Sequence, residues 1–284
     1  MALVNQGYTG YLEIGGTKVR FTDGSIAARQ EINAPDMVMG SWDRMAYVYG
    51  PVTIDGSVSG YVTESFAAGN GIWEWGVKRA ACGALTEEDL SIVYFCDTPD
   101  EGFSSRTFPS VLANSINISA TAGDIVNFSI DVIGATAPTD GPGWSEFDTA
   151  EKLVTWDKLG VTVAGGTGND FGTPALSAFD ITISNNVEVV YKLGQDSLFP
   201  FALVPGMRSI SGSVTAYNAP NANGADAWDD YGADDTGTVG FSLPGGGSKT
   251  VNVQFHRIEP TATSGLVTST LAFTGVTKQD ALDA

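Results

Sequence analysis

Apolar and polar residues alternate over much of this chain, and that alternation is its strongest local signal. In Val126, Phe128, Ile130 and Val132 every second residue is apolar, which puts four side chains on one side of an extended segment. Ile116 and Ile118 repeat the pattern just upstream, so the two runs predict a hairpin turning at Thr121 to Asp124. The same reading predicts strands over 25–33, 52–63, 91–97, 115–120 and 125–134, with counterparts later in the chain. Two helices are expected beside them. Thr86 followed by Glu87, Glu88 and Asp89 would set negative charge against the unpaired N–H groups of a first turn. Residues 67–84, carrying Trp73, Trp75 and Val77, predict the other.

The chain also repeats itself. Ile54-Asp55-Gly56-Ser57-Val58-Ser59-Gly60-Tyr61 returns as Ile210-Ser211-Gly212-Ser213-Val214-Thr215-Ala216-Tyr217, an offset of 156. Further blocks recur in the same order. Gly15-Gly16-Thr17 answers Gly165-Gly166-Thr167, and Ala28, Gln30 and Ile32 answer Phe179, Ile181 and Ile183. Trp73 answers Trp228, Val93 and Phe95 answer Val239 and Phe241, and the run 130–134 answers 271–275. Offsets drift only by loop-sized steps. Pro138, Gly141, Pro142 and Gly143 crowd one stretch where regular hydrogen bonding is hard to sustain. The economical division is therefore a first β domain over 1–137, a linker over 138–148 and a second β domain over 149–284. A cut after Gly141 splits the charge almost evenly, −10 before and −9 after.

Composition narrows the function classes. The formal charge is −19 and charged residues make up only 17% against 43% apolar types, which describes a core-forming chain and argues against a nucleic-acid reader. No apolar stretch is long enough to cross a bilayer, and the N-terminus lacks a cationic start followed by an apolar region, so cytoplasmic synthesis is expected. Cys82 and Cys96 are the two cysteines, far from a disulfide framework, and read as small apolar packers.

Candidate chemistry is sparse. His256, the sole histidine, falls off the apolar face of Val251, Val253 and Phe255 and reads as a solvent-facing strand residue. Gly56-Ser57-Val58-Ser59-Gly60 has Val where a nucleophile elbow needs Ser, and Gly15-Gly16-Thr17-Lys18 has neither the spacing nor the ending of a phosphate loop. Asp226, Asp229, Asp230, Asp234 and Asp235 do not follow EF-hand spacing and read as a solvated loop. No catalytic residue, cofactor or metal is expected.

Apolar matter in loops stands out instead. Met37, Met39, Trp42, Tyr47 and Tyr49 lie between two expected strands, and Leu198, Phe199 and Phe201 occupy the equivalent stretch of the second half. Such residues either fold back on their own sheet or pack on a neighbouring subunit. A tandem carbohydrate-binding or adhesion module, with exposed Trp and Tyr stacking on sugars, is the alternative reading of the same aromatics.

The order of features in each half resembles the major tail tube proteins of tailed bacteriophages: an extended entry, a long apolar loop, the Ile-x-Gly-Ser-Val-Ser/Thr-x-Tyr strand, a central aromatic segment and a final hairpin ending in Phe273-Thr274-Gly275-Val276-Thr277. The resemblance implies a mainly β protein, two tandem copies of a β-sandwich or partial barrel, each with a short flanking helix. It implies homotrimeric rings of pseudo-sixfold symmetry that stack into a tube in the virion, assembled in the host cytoplasm. Partners would be further copies of the chain, a tape-measure protein and tail-end proteins, with DNA passing through the channel unbound. Lumen-facing positions would be mostly Asp, Glu, Ser, Thr, Asn and Gln.

Overall fold

The computed structural model describes residues 10–33, 48–67, 71–80, 83–94, 104–142, 152–165, 175–194, 197–217, 236–263, 266–276 and 282. The first strands are β1 (Tyr11–Ile14), β2 (Thr17–Asn33), β3 (Val48–Tyr61), β4 (Glu88–Tyr94), β5 (Ser104–Thr121), β6 (Asn127–Gly134) and β7 (Thr139–Asp140). Next come β8 (Gly160–Gly165), β9 (Leu176–Ser184), β10 (Glu188–Val190), β11 (Ala202–Val204), β12 (Ser209–Tyr217), β13 (Thr236–Leu243), β14 (Gly247–Thr263) and β15 (Leu266–Gly275). All but β10 and β11 join one sheet, which runs β4-β1-β2-β3-β6-β5-β9-β12-β15-β14-β13-β8 with β7 on the side of β5.

β4 also pairs with β5, which closes the first six strands into a barrel. The neighbour order around that barrel is β1-β4-β5-β6-β3-β2, and the later strands pair in the order β8-β13-β14-β15-β12-β9. Taken by rank within each half, the two orders are the same. Registers agree as well: Val58 lies between Gly24 and Ile130, and Val214 between Phe179 and Leu271. This register sets Gly24, Ile26 and Ala28 where the second half has Phe179, Ile181 and Ile183, four residues from the alignment that alternation alone suggests. A slip by an even number leaves every side chain on its own face, so only pairing could resolve it.

The recurring glycine of the Ile-x-Gly-Ser-Val strand has a steric cause in both places. A Cβ on Gly56 would stand 2.0 Å from the Ser25 carbonyl oxygen, and one on Gly212 would stand 2.2 Å from that of Asp180. Gly15 and Gly16 form the β1–β2 turn with φ of 54° and 82°, the left-handed geometry that a tight hairpin turn requires.

Two helices of the first half are short, α1 (Glu64–Ala67) and α2 (Ile72–Val77). Trp73, Trp75 and Val77 of α2 are buried, and Trp73 meets Phe241 edge-on at 5.3 Å between centroids. Phe241 in turn lies 5.9 Å from Phe179, so one core runs through both halves. No helix begins at Thr86. Residues 88–94 form β4, with Leu90 and Ile92 buried between β1 and β5, and the Asp89 carboxylate accepts the Ser110 N–H at 3.1 Å. Tertiary burial of an alternating apolar pair outweighs the weak preference of three acidic residues for a helix start. The counterpart of α2, within 218–235, lies outside the described residues. Part of the expected linker forms β7, which pairs with Arg106 and Thr107 of β5; beyond it, Val154, from the stretch expected to open the second domain, is buried between Val62 and Val126 of the first half.

The halves meet along β5 and β9. The first part of β5 pairs with β4, and its last part, Ser115–Thr121, pairs with β9. Ser110, with φ of 51°, sits at the irregularity of the β4–β5 register, between Phe108 and Val111. Asn185, fully buried just beyond β9, donates its side-chain amide to the carbonyls of Gly76 (2.9 Å) and Ala113 (3.0 Å). Arg79 donates to the carbonyl of Gly206 (3.0 Å), and Arg208 donates to the carbonyl of Val77. Gly76 and Val77 end α2, where backbone carbonyls have no partner within the helix and a cation is favoured. Asn185→Ala removes both amide bonds and leaves buried carbonyls without a donor, an expected loss of about 1–3 kcal/mol, read from the shift in urea midpoint. Gly212→Ala forces the backbones of β9 and β12 apart and is expected to cost about 1–3 kcal/mol by overpacking, read in the same assay.

Candidate functional surface

Eight adjacent strands, β2-β3-β6-β5-β9-β12-β15-β14, have two contrasting faces. One is the core side, carrying Ile54 and Val58 of β3, Phe128, Ile130 and Val132 of β6, and Ile116 and Ile118 of β5. It continues through Phe179, Ile181 and Ile183 of β9, Val214 of β12, Leu271 and Phe273 of β15 and Phe255 of β14, all buried. The other face is open, and the register of the sheet lines its residues into rows. One row runs Asp23, Ser59, Ser129, Asn117, Thr182, Ser211, Thr274, Gln254. Beside it, Ser57, Asp131, Ser115 and Ser184 form part of a second, and Asn127, Ser119, Asp180 and Ser213 part of a third.

Hydroxyl and amide groups dominate these rows because each strand alternates them with apolar residues, the period-two pattern seen first at 126–132. Many are tied sideways to one another. Ser115 donates to Asp131 at 2.6 Å, Asn117 donates to Asp180 at 2.8 Å and to Thr182 at 2.9 Å, and the Thr215 and Thr270 hydroxyls are 2.9 Å apart. His256 belongs to the same face, exposed and 3.1 Å from the Thr274 hydroxyl. Among the described residues this face carries the carboxylates of Asp23, Asp55, Asp131 and Asp180, the guanidinium of Arg29, which pairs with Asp55 at 3.7 Å, and, where β2 runs on past β3, Lys18 and the exposed Arg20, on the side opposite the buried Val19 and Phe21. Among the described residues, no group of three or more His, Cys, Asp or Glu side chains could hold a metal ion.

A second surface stands off the sheet. β10 and β11 form a separate two-stranded hairpin whose base, at Val187 and Leu203, packs with Leu85 and Leu112 of the first half. Its outer part is tied to β3: the Val52 N–H donates to the Leu198 carbonyl at 2.9 Å, and the Tyr191 hydroxyl donates to the Val52 carbonyl at 3.2 Å. Large apolar groups remain exposed here, among them Leu193 (99%), Met207 (87%) and Phe201 (60%). Of the candidate contact residues, Leu198 and Phe201 are exposed on this hairpin, while Phe199 is half-buried against the main core. Tyr49, at the start of β3, is exposed (59%). Met37, Met39, Trp42 and Tyr47 lie outside the described residues, as do the aspartates of 226–235.

The acids of the open face belong to no motif, and the one signal for the face in the chain is the alternation in Ser57/Ser59, Ser115/Asn117/Ser119 and Ser211/Ser213/Thr215. Trp73 and Trp75, by contrast, are buried in the core and offer no platform for a sugar ring. No helix among the described residues is long and apolar enough to cross a membrane.

No individual curated protein matches the chain. The profile of a family described as phage tail tube protein matches residues 22–275, and with nearly all of its strands inside that match, the chain belongs to the phage tail tube protein family.

Proposed function

We propose that this chain is the repeating subunit of a tail tube, and that its open polar face lines the channel through which DNA leaves the virion. The observation that carries the reading is the eight-strand face itself: rows of hydroxyls and amides with four carboxylates among them, and with Arg29 ion-paired to one of the four, Asp55. DNA binds non-specifically by replacing condensed counterions with Lys and Arg, each such contact contributing to affinity. A wall that offers carboxylates and laterally bonded hydroxyls makes few such contacts, so a polyanion crosses it without being held.

The finer organisation follows from the matched halves. Residues 1–137 and 149–284, joined through 138–148, are two copies of one domain, a reading supported by the shared strand order and by the common register around Val58 and Val214. Three chains then supply six like domains to a ring, a rotation that divides the circle and closes without free ends. Rings stack through the apolar loops, with Tyr49, Leu198 and Phe201 exposed at one end of the sheet and Met37, Met39, Trp42 and Tyr47 belonging to the same set. A tape-measure protein and tail-end proteins would complete the tail.

Purified protein is expected to form rings or tubes in negative-stain microscopy and large species in light scattering; monodisperse single chains would overturn the reading. Asp131→Lys together with Asp180→Lys is expected to leave tubes intact but make them retain duplex DNA at low salt, with retention lost as salt rises, whereas unaltered tubes retain none. Phe201→Asp, at a site clear of the core, is expected to leave a folded protein that no longer forms long tubes, seen as a normal unfolding transition with short or absent tubes by microscopy.

A further inference from the structure

A cavity of about 230 Å³ opens where β5 ends and β9 begins. Ala120, Ala122, Ala178 and Phe179 line one side of it, and the space exists because three of those four positions carry only a methyl group. The other side comes from a single 3-10 turn, Trp156–Lys158, and the residues after it: Trp156, Asp157, Leu159 and Val161. Thr121 and Ser177 add hydroxyls. Backbone bonds hold these walls in place. The Trp156 N–H donates to the Asp124 carbonyl at 3.1 Å, the Leu159 N–H to the Trp156 carbonyl at 3.3 Å, and the Ala122 N–H to the Ser177 carbonyl at 2.8 Å. Such a site is formed before any ligand arrives.

We propose that this cavity binds one hexopyranose ring, stacked on Trp156 with its hydroxyls bonded to the Asp157 carboxylate. The inference does not depend on the tube reading. Of the described tryptophans, Trp73 and Trp75 are buried, whereas Trp156 is 48% exposed at the cavity. A pyranose ring has an apolar face of C–H groups and a rim of hydroxyls. An indole face takes the first by removing apolar surface from water. A carboxylate takes the second as a charge-assisted acceptor, and the Ser177 oxygen, whose proton goes to the Thr215 carbonyl at 3.3 Å, still has lone pairs to accept with.

Other ligand classes fit less well. An anion would meet the charge of Asp157, and a wholly apolar molecule would strip water from that carboxylate without bonding it. A quaternary ammonium is held by a cage of several aromatic faces. Here Phe179 is 4% exposed and set 5.9 Å from Phe241 in the core, which leaves Trp156 as the one open ring. Size limits the ligand as well. The volume falls below the roughly 300–1,000 Å³ of sites for drug-sized molecules, so a single ring enters and the rest of a longer glycan stays outside.

The test is saturation-transfer NMR on the full-length protein with the methyl glycosides of glucose, galactose, mannose and N-acetylglucosamine, and with choline as a competitor class. At least one glycoside is expected to bind, with saturation strongest on the ring C–H protons that lie over the indole. Trp156→Ala is expected to weaken binding about tenfold or more by removing the stacking face. Ala122→Leu, which fills the cavity and leaves every bonding group in place, is expected to do the same, with the urea midpoint unchanged. Asp157→Asn is expected to weaken it less, because the amide keeps an acceptor oxygen. The same sugar displayed on a polymer is expected to be held more tightly than the free glycoside wherever several chains assemble; equal affinity would assign the site to a free sugar. No binding of any glycoside would overturn the site, as would binding that survives both Trp156→Ala and Ala122→Leu, or binding of choline alone. None of these readouts requires assembly, so their failure leaves the tube reading standing, and single chains by microscopy would leave this site standing.

Discussion

The fold depends on one strand having two sets of partners. β5 is long enough to close the first barrel with β4 and then, from Ser115, to carry the sheet across to β9. Without the second pairing the halves would be tethered beads; with it they share a sheet, a core and an open face. Strand pairing alone would leave a hinge, because a sheet twists easily about a single seam. Asn185, Arg79 and Arg208 lock that seam by bonding the last carbonyls of α2 and the loop that follows β9. Those carbonyls need donors from somewhere, and the other half is where they find them.

Much of this was legible in the residues. The alternation of Val126, Phe128, Ile130 and Val132 gave the correct strand and face, and the hairpin turns between Thr121 and Asp124 as its spacing suggests, with the Asp124 N–H donating to the Thr121 carbonyl at 3.0 Å. The Ile-x-Gly-Ser-Val strand takes the same place in the pairing order of both halves, and in each its glycine answers a close backbone approach. What failed was local. Thr86 to Asp89 carries a helix-start composition, but a few acidic residues exert less than the burial of Leu90 and Ile92 between two strands.

The seam itself was out of reach. Asn185 bonds residues 72 and 109 positions earlier, and Arg208 one that is 131 positions earlier. Neither pair has a spacing rule that could announce it, because the distance between them in space is set by the barrel and not by the chain. The open face lay between these extremes. Its serines and threonines are obvious in print, but a polar residue in a strand is also what ordinary solvent exposure selects. Only the register, which aligns Asp23, Ser59, Ser129, Asn117, Thr182 and Ser211 into one row, turns scattered polarity into a continuous surface.

The sideways hydrogen bonds on that surface have a consequence for anything that slides over it. Asn117, Ser115 and the Thr215–Thr270 pair bond to their neighbours in the plane of the sheet, which engages these groups sideways instead of aiming them at a passing one. In the proposed channel, a passing polymer would meet side chains already bonded to one another and would exchange fewer hydrogen bonds with the wall.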